Sequence, residues 1–308
     1  MRSGRGLTQI HSPNSEFKPG IRQAYVIGFP IAHSLSPAIH NAAFAATGFD
    51  GHYRAVEVAP DQLEAWVKQA RGLETLGFNV TLPHKEAIIR HLDRIEGDAE
   101  LAGAVNTVIA MRPDSARPGL SGTNTDGIGF RQMLAEEAHT TLTGKKVLLL
   151  GAGGAARAVA LVALQDGAHT LWVANRHEER ARGLLTQLST ITTATAAESL
   201  SLADPRLQAL MGDADIIVNA TSVGLRQDEL PADPGSANSS ALVIDLIYNP
   251  AETAFMHAAR GRGIQVLGGL GMLVHQAAAA FERWTAIGAP IPVMRAAADT
   301  ALRDRAGR

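Results

Sequence analysis

The chain has no cysteine among its 308 residues. This absence excludes disulfide bonds, zinc sites with thiolate ligands and cysteine nucleophiles, and it is compatible with the reducing cytoplasm in which we expect the protein. No run of about 18 apolar residues occurs, so no membrane-spanning helix is predicted. The chain also lacks an excess of either charge, with a formal net charge of -2. No basic field therefore favours binding to nucleic acid or to a lipid surface.

Composition and length indicate a folded protein with two domains. Hydrophobic residues make up 46% of the chain and charged residues 19%, which is typical of globular proteins. A chain of 308 residues is long for a single core. Residues 1–23 lack the apolar segment of a signal peptide and are predicted to form a flexible extension. The closing stretch "RDRAGR", residues 303–308, is predicted to be a solvated tail.

Strand and helix patterns alternate along both halves of the chain. Between residues 24 and 123, "AYVIG", "YRAVEV" and "AVNTVIA" indicate strands, and "PAIHNAAFAATG" and "DQLEAWVKQARG" indicate helices. This alternation predicts a mainly parallel sheet covered on both faces. From Asp126 onward, a helix leads into a second alternation that starts at "KKVLLL" and is Rossmann-like. The segment "ITTATAAES", residues 191–199, is predicted to be an exposed loop.

The stretch "GAGGAA", residues 151–156, matches the G-x-G-x-x-A pattern of dinucleotide-binding loops. It follows a predicted strand and opens an alanine-rich helix, which is the context that this pattern requires. Gly151 permits a tight turn, Gly153 lets a pyrophosphate approach the main chain, and Ala156 packs the helix against the sheet. The helix N-terminus would then face the phosphates with its partial positive charge.

The residues after the next strand indicate which dinucleotide is bound. Sites for NAD usually carry an acidic residue here, which binds the ribose 2′-hydroxyl. This chain instead has Asn175 and Arg176, with Arg180 one turn later. A guanidinium binds a 2′-phosphate through paired hydrogen bonds, whereas a carboxylate repels it. The sequence therefore favours NADP over NAD, and Glu178 and Glu179 are expected to point along the following helix.

The stretch "GFPIAHSLSPAIHN" carries two serines, Ser34 and Ser36, separated by one residue. In an extended segment, alternate side chains point to the same side, so both hydroxyls would face one ligand. Ser36 precedes Pro37 and is predicted to cap the helix that begins there, with Gly48 as its end. Two hydroxyls at a helix N-terminus would suit a carboxylate that must bind and leave.

The stretch "GFNVTLPHKEAI", residues 77–88, places an amide, a hydroxyl and an ammonium where a buried strand ends. These groups belong to Asn79, Thr81 and Lys85, and Lys85 is the candidate for proton transfer. Asn106 in "AVNTV" and Asp126 in "GTNTDGIG" also end apolar segments. Strand ends line the ligand crevice in open α/β sheets. These side chains therefore predict the floor of a polyol site.

No metal site is predicted. The eleven histidines form no H-E-x-x-H pattern and no cluster with carboxylates. His33, His40 and His84 lie close to the motifs described above and are expected to be structural.

Taken together, these segments resemble the shikimate dehydrogenase family from about Ala24 to Trp284. The family's carboxylate-binding motif is matched by "HSLSPAIHN", its catalytic-lysine motif by "NVTLPHKEA", and two further site motifs by "GAVNT" and "NTDGIG". Its nucleotide motifs are matched by "GAGGAARA" and "NRHEER", followed by "NATSVG", "IDLIYNP" and "GLGMLVHQAAAAFERW". The resemblance implies an NADP-dependent oxidoreductase of aromatic amino acid biosynthesis that reversibly reduces 3-dehydroshikimate to shikimate. It leaves open whether the protein is a monomer or a homodimer.

The resemblance also implies roles for individual residues. Lys85 would be the acid and base of the reaction, paired with Asp126, and Ser34 and Ser36 would bind the substrate carboxylate. The remaining residues implied to surround the substrate ring are Asn79, Thr81, Asn106, Tyr248 and Gln276. The residues implied to surround NADP are Gly151, Ala152, Gly153, Gly154, Ala155, Asn175, Arg176, His177, Arg180, Leu246, Gly269 and Met272.

The family fold implies a particular division of the chain. A substrate-binding domain would comprise residues 24–125 and 270–308, and a Rossmann-like NADP-binding domain would comprise residues 126–269. The C-terminal helices would return to the first domain, so that Gln276 reaches a cleft between the two domains.

One residue departs from the family pattern. The family's nucleotide motif usually reads Asn-Arg-Thr, and this chain has His177 in the threonine position. A protonated histidine would replace the lost contact to the 2′-phosphate and make cofactor affinity depend on pH. Two alternatives stay open. One is a quinate/shikimate dehydrogenase that uses NAD, against which Asn175 and Arg176 argue. The other is a non-catalytic sensor of shikimate or quinate, against which the intact Lys85 and Asp126 argue.

Overall fold

The computed structural model describes residues 22–71, 75–111, 119–191, 194–225 and 229–306. The predicted N-terminal extension lies outside these ranges except for Arg22 and Gln23. For these two residues the prediction was wrong, because they belong to the first strand. In the part of the chain that is described, no helix is long and apolar enough to cross a lipid bilayer.

The first half of the chain forms a six-stranded sheet with its flanking helices. Its elements in chain order are β1 (Arg22–Gly28), α1 (Ser36–Thr47), β2 (Gly51–Glu57), α2 (Leu63–Ala70), β3 (Thr75–Val80), β4 (Arg94–Ile95), α3 (Asp98–Ala102), β5 (Thr107–Met111) and β6 (Gly119–Thr123). The strand order is β2-β1-β3-β5-β6-β4. The prediction of parallel strands is right for β1, β2 and β3. The pair β4 and β6 is also parallel, so the sheet is mainly parallel as predicted, and the exception is β5, which runs antiparallel to both of its neighbours.

The second half forms another six-stranded sheet. Its elements are α4 (Asp126–Glu137), β7 (Lys146–Leu150), α5 (Gly154–Gln165), β8 (Thr170–Asn175), α6 (Glu178–Leu188), β9 (Ala196–Ser201), α7 (Leu207–Asp213), β10 (Ile216–Asn219), β11 (Leu242–Asp245), α8 (Ala254–Arg260) and β12 (Gln265–Gly268). All strand pairs are parallel, in the order β12-β11-β10-β7-β8-β9. Strand β7 pairs with β8, the next strand in the chain, along one edge and with β10 along its other edge. The loop after β7 therefore stands at the switch point where such sheets bind ligands.

Strand β9 replaces part of a predicted loop. The segment "ITTATAAES" is polar and was expected to be exposed, yet Ala196–Ser201 pairs with β8 along its whole length. Because β9 is an edge strand, most of its side chains remain accessible, and the alternation of a buried strand is absent from its sequence. The interpretation of exposure was right and the assignment of a loop was wrong.

The last two helices, α9 (Leu270–Thr285) and α10 (Ile291–Ala306), return to the first sheet. Their apolar side chains share a core with β1 and α1. The members of this core include Ile39, Phe44, Val274, Phe281, Met294 and Ala298. The predicted solvated tail from residue 303 is helical as far as Ala306, where α10 ends. Arg303 and Asp304 are exposed as expected, whereas Arg305 is half-buried.

Candidate active site

A lysine and a carboxylate meet where the two sheets face each other. The Nζ of Lys85 donates to Oδ2 of Asp126 at 2.5 Å, and the two side chains are 13% and 6% exposed. Lys85 follows β3 and a short turn, and its carbonyl oxygen accepts from the main-chain N–H of Val105 at 2.8 Å. Asp126 is the first residue of α4, where the helix dipole stabilises a negative charge. The pair is thus fixed from two separate elements.

Asn106 orients the carboxylate of Asp126 from the other side. Its Nδ2 donates to Oδ1 of Asp126 at 2.7 Å and to Oγ1 of Thr125 at 3.0 Å. Its Oδ1 accepts from the main-chain N–H of Thr125 at 2.8 Å. Both carboxylate oxygens of Asp126 are thus engaged, and Oδ2 is held toward Lys85.

Gln276 reaches this cluster from α9, although it lies far away in sequence. Its Oε1 is 3.3 Å from Nδ2 of Asn106. The approach depends on Gly129 of α4, where a β-carbon would lie 2.6 Å from the carbonyl oxygen of Met272 and 2.8 Å from the main-chain nitrogen of Gln276. A hydrogen atom in place of a side chain therefore lets α4 and α9 approach closely enough to bring Gln276 into the site.

The predicted substrate residue Asn79 is committed to other protein groups. Its Nδ2 donates to the carbonyl oxygen of Asn106 at 3.1 Å and to Oγ1 of Thr107 at 3.0 Å. Its Oδ1 accepts from the hydroxyl of Tyr53 at 2.6 Å. Tyr53 also hydrogen-bonds Ser36, and burial raises its pKa well above the ordinary value. Asn79 therefore links the serine turn to the cluster around Asp126.

The two serines lie at a turn and not in an extended segment. Leu35 between them has φ -87° and ψ -11°, and it is Leu35 that occupies the cap position, because α1 begins at Ser36. The predicted cap role of Ser36 was wrong by one residue, whereas Gly48 ends the helix as expected, with φ 67°. The main-chain N–H of Ser36 donates to Oγ of Ser34 at 3.2 Å. The two serines are therefore related by a local turn and not by strand alternation.

Tyr248 and Arg305 close the other side of the serine turn. Tyr248 follows β11, and its hydroxyl is hydrogen-bonded by the main chain of Leu35. Arg305 donates from Nη1 to the carbonyl oxygen of His33 at 2.5 Å and from Nη2 to that of Ser34 at 3.0 Å. The residue expected in a solvated tail is therefore attached to the turn that carries the serines.

The histidines near the motifs have no metal-like surroundings. His84 is 1% exposed, and its Nε2 lies 2.7 Å from the carbonyl oxygen of Val58. His40 is 0% exposed and stacks on Tyr53 with ring centroids 4.2 Å apart. His33 has an exposed side chain, and only its carbonyl takes part in the serine turn. Among the residues that the structure describes, no group of histidines and carboxylates could hold a metal ion.

The loop after β7 has the shape that a pyrophosphate requires. Gly151 has φ +113°, and a β-carbon there would lie 2.9 Å from the carbonyl oxygen of Ala220, so only glycine fits. At Gly153 a β-carbon would meet nothing within 4 Å, which leaves the main chain open to a ligand. Helix α5 begins at Gly154, directly behind this opening, and helix N-termini favour phosphate. A β-carbon at Gly154 would lie 2.7 Å from Cδ of Lys85, so the loop faces the lysine predicted to transfer the proton.

The residues after β8 present basic side chains to the surface. Arg176, His177 and Arg180 are exposed, and Asn175 donates from Nδ2 to the carbonyl oxygen of His177 at 2.8 Å. Glu178 pairs with a neighbouring arginine along α6, as expected. This set fits a 2′-phosphate, because two guanidinium groups stand at the strand end and neither is buried. Arg180 lies 3.5 Å from Oε1 of Glu86.

The remaining predicted cofactor residues meet between β11 and α9. A β-carbon at Gly269 would collide with the carbonyl oxygen of Leu246, so these residues are in direct contact, and Met272 is 6% exposed beside them. The loop after β11 is held by Asp245, whose carboxylate accepts from the main-chain N–H of Ile247 at 3.0 Å. Burial raises the pKa of Asp245.

Comparison with known proteins gives the same picture across the chain. Residues 26–108 match the shikimate dehydrogenase substrate binding domain, residues 133–247 match shikimate / quinate 5-dehydrogenase, and residues 269–298 match the shikimate 5′-dehydrogenase C-terminal domain. Shikimate dehydrogenase (NADP(+)) of Moorella thermoacetica is 43% identical over 284 residues, covering 92% of this chain and 92% of that protein. The chain belongs to the shikimate dehydrogenase family.

Solved structures of this family have the same fold. A crystal structure of a shikimate dehydrogenase in complex with NADP+ superimposes with a TM-score of 0.82 at 35% identity, covering 94% of this chain and 98% of that chain. The Thermus thermophilus enzyme in complex with NADP(H) and shikimate superimposes with a TM-score of 0.79 at 35% identity, covering 92% and 100%. The predicted α/β fold with a Rossmann-like second domain and returning C-terminal helices is confirmed.

Three residues that contact the candidate site were missed in the sequence. Tyr53 belongs to none of the motifs, and its hydroxyl contacts the site through hydrogen bonds with Asn79 and Ser36. Arg305 and Glu86 carry charges in segments where a solvated side chain is the ordinary expectation. Glu86 follows Lys85 directly, and that adjacency to a candidate catalytic residue was the one available signal.

Proposed function

We propose that this protein is an NADP-dependent shikimate dehydrogenase, an oxidoreductase that reversibly reduces the ketone of 3-dehydroshikimate to the alcohol of shikimate. The observation that carries the proposal is the contact of 2.5 Å between Lys85 and Asp126, located between the serine turn and the open glycine loop. An ammonium, a carboxylate and two hydroxyls around one cleft suit a hydroxylated carboxylic acid that exchanges a proton. Family membership supports the same reaction.

The ends of the substrate would be bound by different parts of the first sheet. Ser34 and Ser36, with Tyr248 beside them, would bind the carboxylate. The ring hydroxyls would meet Thr81, Asn106, Asp126 and Gln276. Asn79 would act by ordering Tyr53 and Asn106, since its own hydrogen bonds are made to protein groups.

Lys85 would move the proton of the reaction. When bound, the cofactor would supply the hydride for the ketone carbon, and the carbonyl oxygen would take up the electron pair of the C=O bond as an alkoxide. The ammonium of Lys85 stabilises the negative charge that develops on this oxygen and donates a proton to it, and in the reverse direction the neutral amine accepts that proton. Asp126 holds Lys85 in place and keeps a compensating negative charge beside it.

The cofactor would lie along the carboxyl edge of the second sheet. Its pyrophosphate would be bound by the loop formed by Gly151, Ala152, Gly153, Gly154 and Ala155. Its 2′-phosphate would be bound by Asn175, Arg176, His177 and Arg180, and the nicotinamide end would contact Leu246, Gly269 and Met272. The open main chain at Gly153 and the exposed guanidinium groups support this assignment.

The proposal includes the domain division and the setting of the protein. The substrate-binding domain would comprise residues 24–125 and 270–308, and the NADP-binding domain residues 126–269. The buried members of the two apolar clusters around the first sheet all belong to the substrate-binding domain, and those around the second sheet belong to residues 126–269 except for Ala102 and Met272, which supports this division. A monomer or homodimer in the cytoplasm is part of the proposal, and light scattering and cell fractionation test these two points.

A steady-state comparison of shikimate and quinate, each with NADP and with NAD, tests the function. Absorbance of the reduced nicotinamide reports turnover. We expect the highest kcat/KM with shikimate and NADP. A preference for quinate with NAD would replace the proposal by the NAD-dependent alternative. Binding of shikimate in calorimetry without turnover in any combination would identify a sensor.

A further inference from the structure

The end of the last helix contacts the turn that carries the two serines. Arg305, in the final turn of α10, donates to two consecutive carbonyl oxygens, at 2.5 Å to His33 and at 3.0 Å to Ser34. The partners are more than 270 residues apart in sequence. A planar guanidinium that bridges two neighbouring carbonyls restrains the turn between them more than a single hydrogen bond does.

The position of Arg305 is set by buried packing upstream in the same helix. Met294 and Ala298 of α10 are both 0% exposed and belong to the core that contains Ile39 and Ala43 of α1. The helix that carries Arg305 and the helix that begins at Ser36 are thus parts of one packed unit. The packing of α10 against α1 therefore brings the end of α10 close to the serine turn.

Among the residues that the structure describes, Arg305 forms no ion pair. Within the described part of the chain, its hydrogen bonds go to carbonyl oxygens and none goes to a carboxylate. The charge of Arg305 acts on Tyr248. Burial raises the pKa of the Tyr248 hydroxyl, and the positive charge of Arg305 opposes that rise. Two serine hydroxyls and a tyrosine hydroxyl are neutral, so Arg305 supplies positive charge beside them.

We infer that Arg305 is a positioning residue for the substrate carboxylate, which restrains the turn of Ser34 and Ser36 and places a positive charge behind it. The inference rests on the proposed function. The serines contact the substrate. Arg305 acts on the substrate in two ways: its hydrogen bonds hold the turn that positions the serines, and its positive charge attracts the substrate carboxylate. The consequence is a stronger preference for anionic substrates than the serine pair alone would give.

Three substitutions at one position test this inference in the full-length protein. Arg305→Ala removes both the hydrogen bonds and the charge, Arg305→Gln keeps a donor without the charge, and Arg305→Lys keeps the charge with altered geometry. Arg303→Ala is the matched control, because Arg303 lies in the same helical turn and its one side-chain hydrogen bond within the described residues goes to Thr300 of its own helix. Measurements are kcat, KM for shikimate, KM for its neutral methyl ester, KM for NADP, and calorimetric binding of shikimate without cofactor.

We expect Arg305→Ala to raise KM for shikimate and the calorimetric Kd about tenfold, the size of one lost charge-assisted interaction. We expect kcat within about twofold of wild type and an unchanged KM for NADP. Arg305→Lys should recover part of the loss, and the ester should be less affected than the acid. Arg303→Ala should behave as wild type.

Several outcomes would overturn the inference. It is wrong if Arg305→Ala equals Arg303→Ala in KM and Kd for shikimate, or if acid and ester are affected equally. If Arg305→Ala does not fold, Arg305→Gln takes its place. The inference is then tested by whether this variant raises KM for shikimate more than KM for the methyl ester. A wild-type protein without turnover of shikimate would refute the proposed function, whereas an active wild type with a silent Arg305→Ala refutes only this inference.

Discussion

Because His40 is buried, we expect the unfolding free energy of the first domain to fall as the pH is lowered. The ring is 0% exposed, and both of its nitrogens are without a hydrogen-bond partner among the described residues. It is packed between Tyr53 and Trp284. The nearby amide of Asn79 is occupied by other groups. Burial lowers the pKa of His40 to about 3, with Asn79 opposing, so the folded protein keeps this ring neutral.

The sign and size of the effect follow from the proton balance. In the unfolded chain the histidine takes up a proton near its ordinary pKa of 6.5, whereas in the folded chain it does so only near 3. Above pH 6.5 both forms are neutral and no effect is expected. Between these values the unfolded state binds more protons, so each pH unit of acidification costs about 1.4 kcal/mol of unfolding free energy. The loss is about 2 kcal/mol from pH 7 to pH 5.

Urea unfolding of the wild type and of His40→Phe, followed by tryptophan fluorescence, measures this loss. Phenylalanine keeps a ring stacked on Tyr53 and cannot take up a proton. We expect the variant to gain about 2 kcal/mol relative to wild type between pH 7 and pH 5. His257→Gln is the control, since that side chain is 84% exposed. Parallel pH curves for wild type and His40→Phe would refute the reasoning.

Three further predictions concern the site itself. Lys85→Ala should lower kcat at least about 100-fold, as for other acid–base groups, and a loss confined to KM would contradict its role. Glu86→Gln should lower KM for NADP by up to about fivefold and leave KM for NAD unchanged. The reason is that Arg180 no longer shares its charge with a carboxylate, and equal effects on both cofactors would count against this. Gly129→Ala should cost about 1–3 kcal/mol in urea unfolding and raise KM for shikimate, because a methyl group separates α4 from α9 and displaces Gln276. Unchanged values for both would show that the helices adapt.

The outcome at particular elements explains how far the sequence predicts this structure. The glycine loop at Gly151 was predictable because a tight turn and an open main chain depend on a few adjacent residues. The start of α1 was predicted one residue too late. A serine before a proline fits the local pattern of a helix start both as the cap residue and as the first helical residue. Strand β9 was missed because an edge strand does not bury the alternate side chains that reveal a strand.

Local composition determined the elements of this protein and the chemistry available to it. Apolar periodicity specified most strands and helices, the absence of cysteine removed thiol chemistry, and family motifs indicated Lys85 and Asp126. The resemblance implied that Gln276 reaches the site of Asn106, but only the tertiary structure shows the glycine contact that permits it and the hydrogen bonds from Arg305 to the serine turn. The hydrogen bonds of Gln276 and Arg305 join residues more than 150 positions apart, and they depend on how closely helices pack. A polar side chain in a sequence does not by itself reveal which distant partner that packing provides.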